Sequence, residues 1–243
     1  MFQAGFAPAT PDGDTVRKVP ADVIVLPSPL LGPAGYEPLV DALAARGAGA
    51  VVARLPDGAL VPAAVLAAFV DQVTASAAPL LVAHSNAGYL VPAVRAAAPV
   101  ESVVFVDAAL PLAAAATTLL APPQFGEFVA GLPQEDGLLP PWPLWWDPAD
   151  VLPLFPSREW FTRVSDEAPR LPPSWFTTPV EVPSGWEALP AAYLGFGSTY
   201  AEELAFARAA GWPVEEVDGH HLHLLTDPAA TAGAVLRLRE RLG

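Results

Sequence analysis

Short, almost unbroken apolar runs recur along the first hundred residues, at spacings that helical segments can fill. Asp22-Val23-Ile24-Val25-Leu26, Gly49 to Leu55, 79–84 and Glu101 to Asp107 are such runs. Apolar runs this short, without polar alternation, are expected of strands covered on both faces. Between them the apolar positions take a helical period of 3.6. Tyr36 to Arg46 carries Leu39, Leu43 and Ala44 on one stripe, and Gly47 follows as a stop signal. Further helices are predicted over 62–75 and 86–97. The rhythm resumes late in the chain, with a strand over Ala191 to Phe196 and a helix over Ala201 to Ala210. A strand over Trp212 to Val217, a loop over Gly219 to His223 and a closing helix over Asp227 to Arg241 complete it. Residues 1–20, punctuated by glycine, proline and aspartate, read as short edge strands or an irregular arm.

Strands alternating with helices at this spacing predict an α/β fold, a mostly parallel, doubly wound sheet. Its core would comprise residues 1–108 and 188–243. Residues 109–187 break the rhythm: short apolar pieces lie between many prolines, and six of the seven tryptophans fall there. This stretch reads as an insertion packed over the C-terminal edge of the sheet, the edge where such sheets bind ligands. Neither an internal repeat nor a second independent domain is visible.

Composition narrows the function classes. Hydrophobic residues make up 53% of the 243 and charged residues 16%, which suits a large core and argues against disorder. Twenty-six acidic residues oppose 12 basic ones, for a formal net charge of −14. No basic patch exists to meet nucleic acid or an anionic membrane surface. The absence of cysteine excludes disulfides, a thiol nucleophile and cysteine-ligated metal. The long uncharged stretches Thr74 to Val94 and Ala108 to Gly126 are interrupted by proline and polar residues, so neither reads as a membrane span. The N-terminus shows no signal-peptide pattern, and the expected compartment is the cytoplasm, the expected assembly a monomer or homodimer.

The chemistry centres on Leu80-Leu81-Val82-Ala83-His84-Ser85-Asn86-Ala87-Gly88, where a strand-like run stops at a serine and a helical segment follows. A serine at the apex of a tight strand-to-helix turn needs small residues two positions away on either side, and Ala83 and Ala87 supply them. Such a turn exposes the hydroxyl and aims the next N–H at developing negative charge. The plainer reading is a βα loop with a capping serine. The stretch resembles the nucleophile elbow of the α/β-hydrolase superfamily, with alanines where the motif G-x-S-x-G has glycines. Over residue 20 to the end the chain is similar to that superfamily in strand rhythm and in the order Ser…Asp…His. The resemblance implies the α/β-hydrolase fold with 109–187 as a cap insertion.

The resemblance also implies the partners of Ser85. A base is expected after the last strand, where His220, His221 and His223 cluster. Counting back seven residues from Pro228, which opens the last helix, selects His221; aligning on the preceding glycine would select His220. Most members carry an acid after the strand matching Tyr193 to Phe196, but here that loop is Gly197-Ser198-Thr199-Tyr200. Asp107, ending the strand after the elbow, takes an alternative acid position used within the superfamily; otherwise it caps a turn. One oxyanion donor would be the N–H of Asn86, the other that of Leu30 or Ser28 in Pro27-Ser28-Pro29-Leu30, whose prolines cannot donate. Trp142, Trp145 and Trp146, in the densest aromatic patch of the insertion, would line a pocket for a small apolar or aromatic substrate, or simply pack the insertion on the core. Adjacent histidines on one short loop converge poorly on an ion, so neither metal nor cofactor is expected.

Three functional readings follow from the resemblance. The first is a serine hydrolase cleaving a small apolar or aromatic ester, thioester or lactone through an acyl-enzyme. The second is a non-hydrolytic enzyme of the same fold, a cyclase, lyase or dehydratase of secondary metabolism, which the incomplete oxyanion loop and the displaced acid favour. The third is a non-catalytic receptor for a small ligand.

Overall fold

In the computed structural model, which describes residues 21–58, 60–112 and 115–243, the alternating elements form one six-stranded parallel sheet. The elements begin with β1 (Val23–Leu26), α1 (Glu37–Ala44), β2 (Ala50–Val52), α2 (Pro62–Thr74), β3 (Leu80–Ser85), α3 (Val91–Ala97) and β4 (Ser102–Ala108). The inserted stretch contributes β5 (Thr117–Thr118), α4 (Pro123–Ala130), α5 (Pro148–Val151), α6 (Arg158–Glu167) and β6 (Val180–Glu181). The chain closes with β7 (Ala191–Phe196), α7 (Ala201–Ala209), β8 (Val214–Val217), α8 (His223–Thr226) and α9 (Pro228–Glu240). The expectation for residues 1–20 lies outside the described residues.

The sheet order is β2-β1-β3-β4-β7-β8, and every pairing in it is parallel. From β1 the chain goes first to one side, to β2, and then returns to the other side for β3. The loops after β1 and β3 therefore diverge and leave a crevice at the C-terminal edge. Ser28 and Leu30 lie in one of these loops, and Ser85 ends the strand leading to the other.

Alternate strand residues feed two apolar layers. Leu81, Ala83, Val103 and Phe105 pack with Val65 and Phe69 of α2 and with Val91 and Val94 of α3. On the other face Leu80, Val82, Val104 and Val106 meet Leu39 and Leu43 of α1 and Val235 and Leu238 of α9. Burial on both faces accounts for the unbroken apolar runs.

Boundaries shift where side chains intervene. The strand expected over 49–55 is limited to Ala50–Val52, with one further bond from Ala53 N to Val25 O, 2.8 Å. The Gln72 side chain on α2 then takes both backbone groups of Arg54, at 2.7 and 2.9 Å, and ends the ladder. The helix expected over 86–97 opens as a 3₁₀ turn, Asn86–Leu90, before α3. The loop expected over Gly219 to His223 runs into the single turn α8.

The inserted stretch is more regular than its prolines suggest. Antiparallel pairing of β5 with β6, Thr117 with Glu181 and Thr118 with Val180, ties its two ends together. Leu120, Val129, Trp145, Trp175 and Phe176 join one apolar layer, and Val151, Phe155 and Val164 join the other. No helix among the described residues is long and apolar enough to cross a membrane.

Candidate active site

Ser85 has φ 55° and ψ −132°, a conformation that a non-glycine residue adopts only when its surroundings impose it. Ala83 and Ala87, both fully buried, flank it. A Cβ on Gly88 would stand 2.1 Å from the Ala109 carbonyl oxygen, so the first turn after the serine can press against the end of β4 only with glycine there. Ser85 thus sits at a sharp strand-to-helix elbow.

β4 carries a matching irregularity. Its register with β3 slips, His84 pairing with Val106 and Ser85 with Ala108, so Asp107 is the extra residue of a bulge, with φ 40°. Bulges re-aim side chains. Here Tyr193 of β7 holds the bulge, its hydroxyl accepting from Ala108 N at 3.0 Å and donating to Ala108 O at 2.7 Å. The Asp107 carboxylate is buried, and accepts from Phe196 N at 3.0 Å through Oδ1 and from His221 Nδ1 at 2.7 Å through Oδ2.

Those bonds set the state of the His221 ring. A carboxylate accepts, so Nδ1 carries the proton, and Nε2 is free to accept from the Ser85 hydroxyl 3.1 Å away. The three residues expected from three different strand ends therefore form one hydrogen-bonded line. His220 is exposed; of the two histidines the sequence left open, it is His221 that joins the line.

The two N–H groups expected as oxyanion donors, those of Asn86 and Leu30, are placed differently. Asn86 is the first residue of the 3₁₀ turn, where an N–H has no partner within the helix. Its side chain is fixed, Oδ1 accepting from Trp175 Nε1 at 2.9 Å and Nδ2 donating to Leu120 O at 2.6 Å. Leu30 borders Ser85 across a narrow space, but its N–H turns to Ser28 Oγ in a long 3.3 Å bond.

Tyr200 was not anticipated as a site residue. Its hydroxyl lies 3.4 Å from Ser85 Oγ and its ring 5.5 Å from that of His221. Burial, above all, raises its phenol above the ordinary range and keeps it a neutral O–H. The sequence signal was the loop after β7, where a tyrosine follows the position at which an acid was sought.

Two cavities meet at this line. A space of about 10 Å³ touches Ser85, His84, Ser28, Leu30 and His221, room for about one water molecule. A larger one, about 400 Å³, is lined by Trp146, Asp150, Leu154, Phe196, Thr199, His220 and His221 among others. Trp142 borders both, and its ring stands edge-on to His221 at 6.2 Å. Trp145 lines neither: it is buried against Phe125 and Phe176, with Nε1 donating to Pro140 O at 2.6 Å. Of the three tryptophans expected at a pocket, Trp142 and Trp146 reach one and Trp145 packs the insertion.

No protein-family model matches the sequence, and a search of curated proteins finds no match. Solved structures do resemble the fold. An extracellular alpha/beta-hydrolase from a Paenibacillus species, described as sharing structural and functional homology with tobacco salicylic acid binding protein 2, superposes with a TM-score of 0.62 at 15% identity, over 89% of this chain and 98% of its own. A methylesterase from Arabidopsis gives 0.68 at 12% identity, over 90% and 99%. Tomato methylketone synthase I, solved with 2-tridecanone, gives 0.68 at 13% identity, over 92% and 99%. The chain has the α/β-hydrolase fold.

Proposed function

We propose that this chain is a serine hydrolase that cleaves a carboxylic ester of a small apolar or aromatic molecule through an acyl-enzyme. The observation that carries the reading is the line Asp107–His221–Ser85, at 2.7 and 3.1 Å, across three strand ends. In it Ser85 Oγ attacks the ester carbonyl while His221 Nε2 takes its proton. The buried Asp107 carboxylate holds the ring in the Nδ1–H tautomer and stabilises the imidazolium as it forms. His221 then gives the proton to the departing alcohol, and a water, deprotonated by the same nitrogen, releases the acid. The N–H groups of Asn86 and Leu30 are the oxyanion donors in this scheme, Leu30 being freed from Ser28 Oγ as charge develops on the substrate.

In the same reading residues 109–187 act as a cap. Trp142 and Trp146 face the substrate, and the cavity bordering His221 receives its larger part. A fluorophosphonate probe tests the proposal: it should label the folded protein, and Ser85→Ala should abolish labelling. Folded wild-type protein that stays unlabelled would remove the hydrolase reading.

A specific observation keeps a non-hydrolytic reaction as the second reading. Pro27 and Pro29 cannot donate, and the Leu30 N–H between them and the elbow is already engaged. Loss of one oxyanion donor lowers acyl-transfer rates by roughly 10²–10³. A chain labelled by fluorophosphonate but inert towards a panel of p-nitrophenyl esters would favour a lyase or cyclase at the same serine.

A further inference from the structure

His84 turns away from the serine beside it and into the interior, where it meets Tyr36 and His221. Its Nδ1 is 2.8 Å from the Tyr36 hydroxyl, and its Nε2 is 3.0 Å from the His221 carbonyl oxygen. The two imidazole rings stack, with centroids 4.6 Å apart and planes 24° from parallel. The Tyr36 hydroxyl in turn accepts from Ser28 N at 2.8 Å. Ser28, Tyr36 and His84 are all buried.

Proton accounting leaves this chain one arrangement. The His221 carbonyl can only accept, so His84 Nε2 carries the proton. His84 Nδ1 must then accept, so Tyr36 donates to it. The Tyr36 oxygen still accepts the Ser28 N–H, and each polar atom in the line has a partner. The line runs from the loop after β1, which also holds Leu30, through the turn before α1 and the end of β3, to the loop after β8.

We infer that His84 is a positioning residue for His221, and that Ser28, Tyr36 and His84 form a relay locking the candidate oxyanion loop to the loop of the base. The inference rests on the hydrolase reading of Ser85. Two physical consequences follow. The neutral His84 ring supports the His221 plane and lies beside the positive charge that His221 gains, without repelling it. A proton on His84 Nδ1 would break the bond from Tyr36 and, once His221 gains its proton, put two cations face to face. Burial first, and the neighbouring His221 second, hold the His84 pKa well below its ordinary 6.5. The titratable groups facing it are Tyr36 before α1 and His221 after β8, with Asp107 of β4 and Tyr200 beyond His221.

Tyr36→Phe removes one oxygen from the relay and leaves the ring to pack. Turnover of p-nitrophenyl acetate should fall about tenfold, the size typical of losing a group that orients a functional residue, with KM changed less than about twofold. His84→Gln, which keeps an N–H for the His221 carbonyl, should retain several times the turnover of His84→Leu.

Wild-type turnover in Tyr36→Phe would overturn the relay. So would a loss in which His84→Gln is no better than His84→Leu, because that is the mark of packing alone. If His84→Leu does not fold, Tyr36→Phe decides the matter. Fluorophosphonate labelling separates the two levels: a labelled wild type with unaffected variants removes only the relay, whereas an unlabelled wild type removes the hydrolase reading and the relay's role with it.

Discussion

The floor of the site and its surroundings in the insertion are held by different means. On the floor, Ser85 and Asp107 stand at the ends of β3 and β4 and His221 in the loop after β8, and strand backbone reaches them directly, as Phe196 N donating to Asp107 Oδ1 does. In the insertion, two-residue strands and short helices are joined by side chains, Trp145 to Pro140 and Phe128 stacked on Trp146 at 4.9 Å, and Trp175 ties it to Asn86 of the elbow. A sheet places strand ends to within the spacing of its ladder, which is the precision that proton transfer requires. An aromatic assembly gives shape and dryness with fewer fixed distances. Under the proposed hydrolase reading, the floor should therefore determine whether reaction occurs, and the insertion which molecule reacts.

The largest test of that division is Asp107→Asn. The change keeps the volume but reverses the hydrogen bonding that selects the His221 tautomer, so kcat should fall by roughly 10³–10⁴ with little change in KM. Near-normal turnover would mean that Asp107 only anchors the bulge. Gly88→Ala probes the floor through its fold. The new Cβ would meet the Ala109 carbonyl, at 2.1 Å in the present backbone, and the stability measured by urea unfolding should drop by about 3 kcal/mol. An unchanged unfolding midpoint would show that the elbow is looser than its φ and ψ suggest.

Trp142→Ala tests the insertion's side. Trp142 stands between the space of about 10 Å³ at Ser85 and the cavity of about 400 Å³ beside His221. Removing the ring should join them. The ratio of kcat/KM for p-nitrophenyl octanoate over acetate should then rise by about tenfold to a hundredfold, since each buried methylene contributes about 0.8 kcal/mol. A fall in kcat for every chain length alike would move Trp142 from selectivity to chemistry and break the division.

The same division explains how much was legible in the sequence. The apolar runs around Ile24, Leu81 and Val104 have the length and composition of strands covered on both faces, so the order of elements and the approximate strand ends followed from local pattern. Ser85, Asp107 and His221 were singled out through the resemblance, whose motif looks for a serine, an acid and a histidine at or just past such ends. The unforeseen residues belong to no motif that marks them: Tyr36 meets His84 across 48 positions, and Tyr200 meets Ser85 across 115. No local spacing encodes such pairings. The insertion was least legible, since tryptophans that line a pocket and tryptophans that pack beneath it have the same sequence surroundings, as Trp145 and Trp146 show.

The smallest expected effect concerns the seam between these regions, and its sign is fixed by which state holds the proton. His84 is depressed in the folded chain, chiefly by burial, and returns to its ordinary 6.5 on unfolding. As pH falls below 6.5 the unfolded chain takes up a proton that the native chain refuses, so stability is lost, at up to about 1.4 kcal/mol per pH unit for one such group. Glu203 acts in the opposite sense, because burial raises its carboxyl and the native chain takes that proton first. Comparing wild type with His84→Gln by urea unfolding at pH 7.5 and pH 5.5 cancels Glu203 and the surface carboxylates. The wild type should lose more stability than the variant by about 1 kcal/mol over that interval. Equal losses would mean that His84 can take up a proton in place. The contact between floor and base loop would then tolerate a charge that its hydrogen bonds leave no room for.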